Sequence, residues 1–196
     1  MNKTYRELKK VVNQQIKDRQ YKKDQNQRII INMTVKNDDD FLSVFSQNDT
    51  PVISHEVAEF IEHSTDSLPP NELLTLRIHS SCIDDQEKIL YQNAIKEYYL
   101  QKYISNENEL KRNKIIAFVL ALAGVFTLAF KILYEYMNNN IVWAEVIDIV
   151  AWVLLWEGAD IVFFGNRALN IKKKRYLSYI SMNIEYIDYP VVVIII

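Results

Sequence analysis

The chain has 196 residues, 49% hydrophobic and 24% charged, with a formal net charge of −2 and one cysteine. These averages look globular only because a polar first part, residues 1–114, offsets a hydrophobic remainder. The lone Cys82 excludes an intrachain disulfide and a cysteine-built metal site, which suits a reducing cytoplasm, and the N-terminus MNKTYRELKKVVNQQIKDRQYKK lacks the apolar core of a signal peptide.

Residues 3–23 read as a basic amphipathic helix, with Tyr5, Leu8, Val12 and Ile16 on one side and Lys and Arg elsewhere. Arg28 to Lys36 then alternates: Ile29, Ile31, Met33 and Val35 share one face while Asn32 and Thr34 share the other, the period of a half-buried strand. Between Asn37 and Asp66 there are several acids and no Lys or Arg. Ser54 there is placed to cap a short helix carrying Val57, Phe60 and Ile61. Pro69 and Pro70 end that segment. A second strand follows at Leu73 to His79, with Leu74, Leu76 and Ile78 facing inward.

A long helix starts after Asp84 or Asp85, striped by Ile89, Leu90, Ala94, Ile95, Tyr98 and Tyr99, with a weak joint expected at Ser105 to Asn108. At about 1.5 Å per residue its cytosolic part would extend on the order of 40 Å, long enough to carry movement to a membrane. It leads into two nearly continuous apolar runs, Ile115 to Met137 and Ile141 to Phe164, separated by Asn138 to Asn140. Each has roughly the 20 residues that cross a hydrocarbon core, so a membrane hairpin is expected. Lys111, Arg112 and Lys114 before the first run, and Arg167 with Lys172 to Arg175 after the second, place both termini in the cytosol.

Met182, Ile184 and Tyr186 repeat the strand pattern a third time. The expected fold is therefore a two-span helical hairpin with a small cytosolic α+β domain, whose mixed sheet joins N-terminal and C-terminal strands. Its parts are a sheet domain (1–83), a connecting helix (84–114), the hairpin (115–165) and a basic juxtamembrane helix with a returning strand (166–196). Pro190 precedes an apolar tail, Val191 to Ile196, suited to β-packing within or between subunits or to an apolar vestibule.

The second run carries Glu145, Asp148, Glu157 and Asp160. A turn near Asn139 would set Lys131 at the depth of Asp148, so those two can neutralise each other. Glu145 lies nearer the outer face, with Glu157 and Asp160 toward the cytosolic mouth. At about 100° per residue Glu145, Asp148 and Asp160 share an arc of about 120°, with Glu157 at its side. A charge at mid-bilayer costs at least about 2.5–3.5 kcal/mol and generally faces protein or water. Two readings stand side by side. In one, second spans of an oligomer surround an aqueous path whose Glu and Asp rings favour cations, with Ala117, Ala121, Gly124, Ala129, Gly158 and Ala159 permitting close packing and Trp143, Trp152 and Trp156 at interfaces. In the other, Lys131 with Asp148 is a buried ion pair in a nonconducting anchor, Glu145 and Asp160 reach the membrane surfaces, and only Glu157 lacks an explanation.

Enzymatic chemistry has little to stand on. All three glycines, Gly124, Gly158 and Gly165, lie in the hairpin or at its edge, so the cytosolic part has none for a phosphate-cradling loop. His55, His63 and His79 are scattered without HExxH spacing, and Cys82 near His79 has no defined nucleophile–base geometry. No catalytic residue, metal or cofactor is expected. The basic groups Lys9, Lys10, Lys22, Lys23 and Lys172, Lys173, Lys174, Arg175 suit topology control and anionic lipid. Alternatively they suit an anionic ligand such as a nucleotide or short nucleic acid, with Tyr176 and Tyr179 as stacking partners.

The segment IDIVAWVLLWEGADIVFFGNRALNIKKKRYLSYI, with the soluble region and long helix before it, resembles small two-span bacterial membrane effectors of antiphage systems, in particular the channel subunit of Hailong-type systems. The resemblance lies in the order of the pieces and in an acidic second span followed by a basic helix. It implies a homo-oligomeric, tetrameric ion channel in the bacterial inner membrane that depolarises an infected cell, controlled by DNA oligomers from a partner nucleotidyltransferase. Beside this channel stand two other expectations: a membrane-anchored scaffold recruiting a cytosolic partner, and an ion-coupled accessory to transport or immunity.

Overall fold

The structure is a computed structural model and describes residues 22–46, 51–137 and 141–188. Residues 3–21 of the basic helix expected over 3–23, the link at 138–140 and the tail at 191–196 lie outside the described residues; Lys22 and Lys23 are not helical, and Lys23 forms an isolated antiparallel bridge with Ile29. Elements run in the order β1 (Ile29–Val35), α1 (His55–Thr65), β2 (Leu74–Ser80), α2 (Asp85–Met137), α3 (Ile141–Asp160), a π-helical segment (Ile161–Gly165), α4 (Asn166–Ile180) and β3 (Asn183–Asp188). The chain is mostly helical and divides into two compact units, one comprising residues up to Ala94 together with those from Ser181, the other Ile95–Ile180.

The first unit is built on a three-stranded sheet of order β1-β2-β3 in which both pairings are parallel, correcting the mixed sheet expected from sequence. The reason lies in the connections. β1 and β2 are each followed by a helical crossover rather than a tight turn, and a crossover returns the chain to the same end of the sheet. The register aligns Leu76 with Ile31 and Ile184, and Ile78 with Met33 and Tyr186. Apolar positions therefore stack across one face, with Asn32, Arg77 and Glu185 aligned on the other. The central β2 buries Thr75 as well as Leu74, Leu76 and Ile78. Thr75 donates its hydroxyl hydrogen to Asp24 Oδ2 at 2.8 Å. Burial acts to raise the Asp24 pKa, but this bond and the N–H groups of Arg28 and Asn26 outweigh it and hold the carboxyl below its usual range.

Ser54 caps α1 by accepting from the Val57 N–H at 3.4 Å. The buried stripe of α1 is Ala58, Ile61 and Thr65; of the apolar residues the helix carries, Ile61 is inside and Phe60 is exposed. At α2 the cap is reciprocal: Asp84 Oδ1 accepts from the Gln86 and Glu87 N–H groups, and Glu87 Oε2 accepts from the Asp84 N–H. Within this unit Tyr91 stacks on Phe41 with ring centroids 4.3 Å apart. Tyr186 donates to the Lys88 carbonyl at 2.9 Å, and burial pushes its phenol up to about 12.

In the second unit α2 continues without a break through Ser105 to Asn108, where a joint was expected. Asn106 is buried there and donates its amide to the Leu169 carbonyl at 3.0 Å, so the polar side chain ties α4 to α2 instead of loosening the helix. Tyr99 packs on Tyr179 at 4.5 Å, and Asn113 donates to Asn166 Oδ1 at 3.3 Å. Farther along, a Cβ placed on Gly158 would lie 3.1 Å from the Ala117 carbonyl, and one on Gly124 would lie 2.6 Å from Leu155 Cγ. Partner numbers on α4 and α3 fall as those on α2 rise. α3 and α4 therefore both run antiparallel to α2 along its length.

Candidate functional site

The apolar window of α2 has a mean hydropathy of 2.4 and only 11% of it is buried, making α2 the one described helix long and apolar enough to cross a membrane by length and composition. The companion α3 is apolar but carries Glu145, Asp148, Glu157 and Asp160. Its environment is set by a seam at alternating spacings of three and four residues. Ala144, Ala151 and Gly158 are buried, and Asp148 is half-buried on the same side. These small side chains let the two backbones approach.

Asp148 is drawn into a charge cluster on that seam. Lys131 Nζ lies 3.2 Å from Asp148 Oδ1 and 3.7 Å from Glu135 Oε1, with the Lys131 side chain 20% exposed. One cation thus faces two carboxylates, so Asp148 is held in a structural pair. The other three acids make no ion pair within 4 Å among the described residues, although Glu145 stays within electrostatic range of Lys131. Glu145, Glu157 and Asp160 are all exposed, turned away from the seam among the exposed Trp152, Val153 and Trp156. At about 100° per residue they occupy an arc of about 120° centred on Asp160. Three carboxylates among large apolar side chains form a mixed surface that a helix of this hydropathy rarely presents.

Immediately after Asp160 the helix widens into the π-helical turn Ile161–Gly165 and resumes as α4, with the Asn166 N–H donating to Ile161 O. Such turns occur mostly as single bulges inside α-helices, frequently at functional sites. Below it, Lys173 pairs with Glu107, and its ammonium stands 5.7 Å from the Tyr103 ring centre. The hydrogen bond from Lys173 holds the Glu107 carboxyl below its ordinary value despite burial, and the same bond raises the Lys173 ammonium.

The basic run Lys172, Lys173, Lys174, Arg175 is therefore divided. Lys172 and Lys174 are exposed, Arg175 is half-buried, and Lys173 is committed to Glu107. Tyr179 is buried against Tyr99 and is not open for base stacking, a correction to the expectation that both tyrosines would serve; Tyr176 is half-buried. In the other unit His55 and His63 are exposed beside Glu59 and Asp66, His79 Nε2 is 3.1 Å from Asn32 Oδ1, and Cys82 Sγ is 3.2 Å from Ser80 Oγ. Sequence reasoning missed the α2–α4 contacts. Their signal was the seven-residue repeat of Tyr99, Asn106 and Asn113, which returns polar groups to one face of a long helix.

No protein-family model, curated protein or solved structure matches the chain. The functional reading therefore rests on the site itself.

Proposed function

We propose that the chain is the subunit of a ligand-controlled membrane ion channel in which α2 and α3 form a two-span hairpin and the acidic face of α3 borders a cation path. The observation that carries this reading is the exposure of Glu145, Glu157 and Asp160 on a face that is otherwise apolar. In hydrocarbon each would be costly, and a single pair of helices has no second surface to cover them. Symmetric copies would turn these faces toward one another and replace lipid with water and counter-ions. Asp148, already paired with Lys131, then contributes to holding the hairpin rather than to the path.

Basic residues at Lys111, Arg112, Lys114, Arg167, Lys172 and Lys174 support an orientation with both ends of the chain cytosolic, in a bacterial inner membrane. The resemblance to Hailong-type effectors adds a tetramer, a DNA-oligomer ligand, a partner nucleotidyltransferase and a role in antiphage defence; in this reading the chain has no catalytic role of its own. The Lys131–Asp148 pair also favours a second reading, a nonconducting scaffold whose charges are purely structural. Liposome flux separates the two. The channel reading predicts cation flux through reconstituted protein and an altered current in Glu157→Gln, whereas absence of current with and without candidate oligonucleotides sinks it. The scaffold reading predicts that an unrelated membrane anchor in place of the hairpin preserves activity.

A further inference from the structure

Beside the seam of α2 and α3 runs an open trough of about 380 Å³. Its floor is made by Ala117, Ala121 and Gly158, its rims include Phe118 and Phe163, and the single charged residue lining it is Lys114 at one end. The trough exists because the residues that let the backbones approach at Gly158 and Ala117 also leave side-chain volume empty on the flank. From Lys114 to Ala121 the helix rises by about 10 Å, the reach of the upper part of one acyl chain. Lys114 follows Lys111 and Arg112, and Phe118 and Phe163 are themselves exposed, so the trough opens onto the surface that would meet lipid, with cations at its headgroup end.

We propose that this trough is a binding site for an anionic phospholipid, one acyl chain lying along Ala117, Ala121 and Gly158 and the phosphate meeting Lys114. Charge and shape select this occupant. An apolar channel with a cation at the cytosolic end complements an amphiphile whose anionic head lies at the inner interface, where the leaflet potential already concentrates acidic lipid. A zwitterionic lipid offers the same chain and a weaker head contact. The site rests on the membrane placement of α2 and α3 given above and is independent of whether the assembly conducts. A lipid there would fill the void beside Gly158 and brace the hairpin next to the π-helical turn.

The test uses the full chain reconstituted in vesicles of equal phosphatidylglycerol and phosphatidylcholine, then extracted in mild detergent and analysed by mass for retained lipid. Wild type is expected to keep phosphatidylglycerol several-fold over phosphatidylcholine. Lys114→Gln, at an exposed position, should lose the preference while still holding lipid, and Ala121→Phe, which fills the trough, should lose the lipid. Unchanged preference in Lys114→Gln, or undiminished lipid in a folded Ala121→Phe, overturns the site. So does efficient oxidative cross-linking between copies through Phe163→Cys in a Cys82→Ser background, because a second copy would then occupy the trough. A chain that does not fractionate with membranes overturns the span assignment and the site together, whereas a membrane-integrated chain with variant-insensitive lipid overturns the site alone.

Discussion

The sheet unit and α3 bury opposite kinds of residue. In the sheet unit Leu74, Leu76 and Ile78 are inside while Asn32 and Thr34 face out, and α1 repeats the rule with Ala58 and Ile61 buried and His55 and Glu59 exposed. In α3 the order is inverted: Ala151 is 0% exposed and Gly158 is buried, while Val153 is 62% and Trp156 70% exposed. Water drives large apolar side chains into a core, but hydrocarbon gives no such drive, and helices within it associate through close packing of small residues. With the membrane placement proposed above, one chain is organised for two solvents, and the acids on α3 are anomalous only against the second.

The largest effect expected from this contrast is at a fully buried position of the sheet. Leu76→Ala should destabilise the sheet unit by about 2–5 kcal/mol in chemical denaturation, whereas Val153→Ala should change stability in detergent by less than about 0.5 kcal/mol. Similar losses at both positions would break the comparison. Next is Gly158→Leu, whose side chain would meet the Ala117 carbonyl; a loss of about 1–3 kcal/mol in detergent unfolding is expected from overpacking. A smaller effect belongs to Arg77, which pairs with Glu185 at 2.9 Å with both side chains partly exposed. Arg77→Ala should cost the sheet about 0.2–1 kcal/mol, and raised salt should shrink the difference.

The smallest effect is the pH response of the Glu107–Lys173 pair. Glu107 has a depressed pKa, so its stabilisation is present above the unfolded value of 4.5 and is lost as pH falls through the folded one. Lys173 has a raised pKa, so its stabilisation is complete below the unfolded value of 10.5 and is lost as pH rises through the folded one. Melting of the helical unit should therefore show no contribution to pH dependence from this pair between about pH 5 and 10. Glu107→Gln should flatten the acid limb; an unaltered acid limb would remove the pair from the account.

Much of the sheet was legible because Ile29, Ile31 and Met33, and again Leu74, Leu76 and Ile78, mark a period of two that only a strand satisfies over that length. Strand direction was not legible, since alternation is identical in parallel and antiparallel pairs and only the crossovers decide between them. Residue counting from Asn139 set Lys131 level with Asp148, and their charges lie 3.2 Å apart. The pairing of Lys173 with Glu107 escaped because a basic run reads as one patch until a packed neighbour removes a member. The π-helical turn had no sequence signal beyond Gly165, whose missing Cβ would meet nothing within 4 Å.

Water at the acidic face of α3 is the central claim, and thiol accessibility in membranes tests it most directly. In a Cys82→Ser background, Glu157→Cys should react with a charged, membrane-impermeant thiol reagent, while Phe126→Cys on α2, 70% exposed in the isolated chain, should be protected by lipid or packing. Equal protection at the two positions in membrane-integrated protein would contradict the aqueous path.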